Sequence, residues 1–333
     1  MPTAGSRCCT TSTWTDKSIL GRDMLPMVSR RLVTTFLLLW GVATVVFLLL
    51  RILPGDPAET ILAGSGASAE AVIQLRQQLG LDDPLPLQYT RFLWNAAHGD
   101  FGHSLFSNRS ALLTVTEQLP YTLSLALVSL AVLLVLGAGL GVLSAFYAGG
   151  WPDRLAMGVA VLGVSVPVFW SGLLLILVFS IGLEWLPASG AGSWRHLVMP
   201  ALVLGVMGAG PVARLLRTNL LEEMSADYVM VARAKGLPSA LLVWRHTLRN
   251  AALPAVTLLG LQFGFLLGGT VVTEMVFARP GLGRVLVDAI LWKDLPVAQA
   301  AVLVIATIYV TVNLVVDLIL IALDPRLRQT RSG

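Results

Sequence analysis

Charge is scarce in this 333-residue chain: Asp, Glu, Lys and Arg together make up 13% of it, about half the share usual in a soluble domain. With 56% hydrophobic residues and a mean hydropathy of +0.78, one soluble core cannot absorb the apolar surface. Cysteine is nearly absent. Cys8 and Cys9 are adjacent in a polar tail, and neighbouring cysteines make a strained bridge, so neither a disulfide framework nor a cysteine metal site is expected. The four histidines, His98, His103, His196 and His246, are scattered without ligand spacing, so no metal centre is expected. The phosphate cradle G-x-x-x-x-G-K-[ST] is missing as well, which argues against ATP hydrolysis by this chain. A net charge of +4 calls for no nucleic-acid partner.

Long apolar runs are plentiful. Six segments approach or exceed the roughly 20 residues a bilayer demands: 28–53, 122–147, 155–182, 197–219, 253–275 and 298–323. Lipid offers backbone groups no partners, so each is expected to be helical. The expected fold is an all-α integral membrane protein with six transmembrane helices. Residues 1–27 read as a disordered Thr- and Ser-rich tail, 28–325 as the membrane domain and 326–333 as a second tail. Met24 and Met27, just before Arg30-Arg31, are candidate true starts, and a cleaved signal peptide is not expected. Fifteen of the 23 basic residues fall on the side of the two tails. The long loop 54–120 carries only Arg76, Arg91 and Arg109 against seven acids. The positive-inside bias therefore puts both termini and the loop 220–252 in the cytoplasm.

Two segments outside the membrane carry pattern. In 54–120, Ser68 can cap a helix with Glu70 in its first turn, Val72, Leu75 and Leu79 on one face, and Gly80 as terminator. This cap is read as a packed loop, with a docking surface as the alternative. In 220–252, one short helix should end at Gly236, and Pro238 prevents its continuation. Ser239 can open a second helix. The result is a cytoplasmic elbow whose Arg233, Lys235, Arg245 and Arg249 suit either anionic headgroups or a protein that grips the elbow.

At this elbow the sequence resembles a known family. Ala232-Arg-Ala-Lys-Gly236-Leu is similar to the coupling-loop signature of permeases in binding-protein-dependent ABC importers, in its dipeptide/oligopeptide/nickel version. Other stretches resemble that branch in the same order. These are Leu53-Pro-Gly-Asp-Pro57, Leu79-Gly-Leu-Asp-Asp-Pro84, Gly99-Asp-Phe-Gly102, Leu186-Pro-Ala-Ser-Gly190, His246 to Asn250 leading to Pro254, Glu274 to Gly283, and Leu323-Asp-Pro-Arg326. Met230 stands where the general signature has a Glu, and Pro254 lies farther from the glycine than usual. The resemblance implies a type I importer permease fold and passage of di- or oligopeptides or a similar small solute. It also implies a second homologous permease, two ATP-binding subunits and an extracytoplasmic binding protein. No cofactor is expected in this chain; ATP and Mg belong to the partner subunits. Ala232, Arg233, Ala234, Lys235, Gly236 and Leu237 become the candidate ATPase contacts.

Further candidates lie in the spans. Gly260, Gly264 and Gly268 form a doubled small-xxx-small face for a neighbouring span or the partner permease, and Gly137 and Gly141 repeat the pattern. Gln262 lies off that face, towards a pathway. Pro167 should kink span three, as a moving gate on the pathway would need, with Trp170 packing beyond it. Glu274 either lines an outer gate or sits at the interface beside Arg279 or Arg284. Asn313 and Asp317 share one face of span six, with Asp317 read as an anchor near Arg326 and Arg328. The competing reading is an ion-coupled secondary transporter or channel working without an ATPase, which would want buried charges at mid-membrane. An intramembrane enzyme would need a catalytic set within the spans, where no histidine lies.

Overall fold

The computed structural model describes residues 24–52, 58–59, 69–78, 80–238 and 247–323. Outside the described residues lie the tail with Cys8 and Cys9, the Leu53 to Pro57 stretch, Ser68, Leu79, Ser239 with the start of the elbow's second helix, Arg245, His246, and everything from Asp324 on. The described residues are helical, with one isolated bridge between His103 and Ser110 and no strand.

The first span is α1 (Met24–Ile52). The outer cap follows with α2 (Ala69–Gln78), α3 (Leu85–Ala97) and α4 (Ala111–Thr116). Then come α5 (Leu119–Phe146), α6 (Trp151–Ser165), α7 (Val168–Leu175) with a π-helical continuation (Ile176–Gly182), and α8 (Arg195–Met224). The elbow helix α9 (Asp227–Ala234) precedes α10 (Leu248–Val276), α11 (Leu282–Leu291) and α12 (Leu295–Leu323). Among the described residues, five helices are long and apolar enough to cross a membrane, and the bent pair from Trp151 to Gly182 is a sixth candidate, as either a broken span or a re-entrant loop.

That bent pair corrects one expectation. Span three is broken and turns by 104° between Ser165 and Val168, where a kink was expected. A proline pushes its predecessor out of the helical region. Val166 is accordingly extended, at φ −89° and ψ 125°, and Pro167 becomes the N-terminal boundary of α7.

Small residues bring the central helices together. A Cβ on Gly137 would sit 3.0 Å from Val212, and one on Gly141 2.8 Å from the Ala213 carbonyl oxygen, so α5 and α8 meet backbone to backbone. Gly163 of α6 approaches the Val206 carbonyl of α8 in the same way. A second apolar cluster closes the outer end. Val46 and Leu50 of α1, Ala111 and Val115 of α4, Leu282 and Ala289 of α11 and Val297, Ala298, Ala300 and Ala301 of α12 are its buried members. The cap is thus packed onto the spans. Phe47 stacks on Phe92 at 5.6 Å, and Tyr89 shares a hydrogen bond with Thr44 at 2.7 Å.

Candidate functional site

The inner site is built on α9. Asp227 lies in its first turn and Arg233 in its last, matching the helix dipole. Gly236, at φ +81°, takes the left-handed position that ends the helix. Its N–H donates to the Arg233 carbonyl at 2.9 Å, and the Leu237 N–H reaches the Ala232 carbonyl at 3.3 Å. This pair of bonds is a Schellman motif, for which glycine carries no Cβ penalty. Val229 is buried and roots the helix, whereas Tyr228, Met230, Val231 and Leu237 are exposed hydrophobics. Arg233, Ala234, Lys235 and Gly236 are exposed beside them and Ala232 is half-buried. The Tyr228 hydroxyl donates to Glu223, and the Asn250 amide reaches the same carboxylate at 3.4 Å. The root of α9 is thereby tied to both α8 and α10. Burial, and then the Glu223 carboxylate, raise the Tyr228 phenol above its usual range, which keeps it a donor.

The outer site centres on Glu274, which is fully buried. Its carboxylate accepts from Thr122 Oγ1 at 2.6 Å, from the Gly283 N–H at 2.8 Å and from the Arg284 N–H at 3.2 Å. Thr122 Oγ1 in turn accepts the Leu282 N–H at 2.8 Å. Two side chains from α10 and α5 thus satisfy the free donors in the first turn of α11, where the helix dipole favours an anion. Both glycines are required by close approach. A Cβ at Gly281 would fall within the Glu274 carboxyl group, and one at Gly283 would collide with the Val271 backbone. Arg279 is buried beside them; its Nη2 lies 3.4 Å from Ser124 Oγ. Burial pushes its guanidinium below the usual range, opposed by the Glu274 charge. Past the other end of α11, Asp294 accepts from Ser104 Oγ at 2.6 Å and the Leu105 N–H at 3.3 Å, joining the cap to the start of α12.

The interior candidates fall between these two ends. Gln262 is buried, and its amide donates to the Gly208 carbonyl of α8 at 2.7 Å. It therefore faces a neighbouring helix. Gly260 abuts Asn313 and Val316, and Gly264 abuts Tyr309, all on α12; a Cβ at Gly268 meets nothing within 4 Å. Asp317 pairs with Arg31 of α1 at 2.6 Å. The basic residues expected near it, Arg326 and Arg328, lie outside the described region. Thr122, Ser104, Asp294 and Asp153 escaped the sequence reading. The available signal was the Pro280-Gly281-Leu282-Gly283 turn, whose two glycines announce a tight approach without saying to what.

A polytopic helical bundle with an extramembrane elbow suits a transport-system permease, and the comparisons identify it. The model of the binding-protein-dependent transport system inner membrane component matches residues 137–329, and the N-terminal model of the same systems matches 24–126. The chain is 44% identical over 305 residues to the glutathione transport system permease protein GsiC of Escherichia coli K12, covering 92% of this chain and 99% of that one. The same figures hold for the protein of that name from Salmonella paratyphi A. In fold it is similar to the inward-facing MetNI methionine ABC transporter, with a TM-score of 0.53 at 19% identity, over 64% of this chain and 97% of that one. The chain belongs to the inner-membrane permease family of binding-protein-dependent transport systems. It is a multi-pass inner-membrane component of an ABC importer.

Proposed function

We propose that this chain forms one half of the translocation route of an ATP-driven importer and that α9 is its point of attachment to the ATPase. The observation that carries the reading is the uncovered face of α9. Met230 is 66% exposed and Val231 54%, on a rigid, capped helix flanked by the cations Arg233 and Lys235. Such a surface, uncovered among the described residues, suits a groove with an apolar floor and an acidic rim. The cargo is a small peptide-like solute, a class that includes the tripeptide glutathione handled by the 44%-identical relative. A second homologous permease completes the route, two ATP-binding subunits supply the energy, and an extracytoplasmic binding protein delivers the cargo.

The test is to purify the tagged chain from its native membranes in mild detergent and identify what accompanies it. A second six-span protein together with one or two ATPases supports the reading. Recovery of this chain alone, active in liposomes without ATP, replaces it with the ion-coupled transporter.

A further inference from the structure

The inner ends of spans two, three and four meet at one buried carboxylate outside both sites described above. Asp153, in the first turn of α6, is 5% exposed. It accepts from Arg217 Nε at 2.8 Å and Arg217 Nη2 at 2.7 Å, from the Gly149 N–H at 2.8 Å and from the Ser144 hydroxyl. Both carboxylate oxygens are engaged, and the guanidinium meets them as a two-pronged fork, the most geometrically exacting pairing available to side chains. Ser144 belongs to α5 and Arg217 to α8. One carboxylate therefore joins three spans at the level where the chain leaves the membrane for the elbow.

Adhesion alone does not call for such a pair, because apolar side chains of equal volume hold helices together at least as well. What the fork adds is register. α8 is the stem of the elbow: Arg217 lies two turns before its end at Met224, and α9 follows directly. The same stem contains Pro211, where a backbone hydrogen bond is missing and a helix bends most readily. A force entering through α9 meets Arg217 before it meets Pro211.

We propose that the Arg217–Asp153 pair is a positioning element for coupling: it fastens the stem of the elbow to α5 and α6 below the soft point at Pro211, so that displacement of α9 carries three spans as one body. This rests on the importer reading. It adds the residues through which motion leaves the elbow.

The test uses the whole complex with its ATPase subunits in nanodiscs. Spin labels are placed at Ala148, just past α5, and Ser225, between α8 and α9, both exposed and both outside the candidate ATPase contacts, and their distance distribution is measured without nucleotide and with ATP trapped. The expected wild-type result is one narrow distance, unchanged between the two states. Asp153→Asn, which preserves size but removes charge, should broaden the distribution at least two-fold in the ATP state while the complex still hydrolyses ATP. Arg217→Lys, which keeps charge without the fork, should fall between the two. A wild-type distance that shifts on ATP trapping overturns the single body. Variants as narrow as wild type, or broadened equally in both states with a matching loss of assembled complex, reduce the pair to ordinary stability. Absence of any ATPase in the wild-type preparation sinks the importer reading, and this proposal with it.

Discussion

Glu274 shows how much one buried side chain can organise. An isolated carboxylate inside a membrane protein is costly, and here the cost is offset by three donors, two of them backbone N–H groups at a helix start. Removing it leaves those donors buried and unpaired, each worth about 1–3 kcal/mol. Glu274→Ala should lower the melting temperature of the purified chain clearly. Gly281→Ala should do so comparably, because the added methyl displaces the same carboxyl. Since both changes dismantle one latch, the double variant should melt close to the worse single one; additive losses would show that the two residues act separately. Glu274 stood out in the sequence as an acid at a span end. Its role was not, because Thr122 is 152 positions away and nothing in local spacing announces such a partner. Asp153 was missed for the same reason, with Arg217 64 positions distant.

Among the elements, α9 was the most legible. Glycine followed by Leu-Pro is a local signal, and the Schellman bonds at Gly236 depend only on neighbours. Gly236→Pro would impose a negative φ and remove the N–H that meets the Arg233 carbonyl. Transport should fall at least ten-fold with membrane levels retained, and normal transport would remove α9 from the coupling path. Arg233→Glu with Lys235→Glu should reduce the ATPase recovered with the chain several-fold without altering insertion, as read on an immunoblot of the membranes. Unchanged recovery would mean that the apolar residues of α9 suffice. Span three was less legible. Hydropathy marked its extent, whereas the difference between a kink and a 104° break depends on tertiary support that composition does not record.

On the scale of the molecule, the candidate crossings were readable to within a few residues because lipid imposes length and hydropathy directly. Which faces meet which was not readable, since a helix surrounded by apolar neighbours carries little rotational signal. The glycine face of α10 illustrates this. Two of its three members are occupied by α12 and the third is open. Gly264→Leu should collide with Tyr309 and destabilise the chain by about 1–3 kcal/mol. Gly268→Leu should leave the melt of the isolated chain unchanged, and an equal loss from both would contradict the packing described.

The break in span three bears on where water goes. Where α6 stops and α7 starts, helical bonding is interrupted, and no side chain caps the start of α7. Hydrocarbon cannot solvate such a gap, so the expected neighbour of this flank is a wet cleft or another protein. Ser165 and Pro167 are exposed at the break, and a cysteine at position 165 should react with a membrane-impermeant maleimide in the assembled transporter during turnover. Complete protection throughout turnover would mean that the interruption is sealed by the neighbouring subunit and that the aqueous route runs elsewhere.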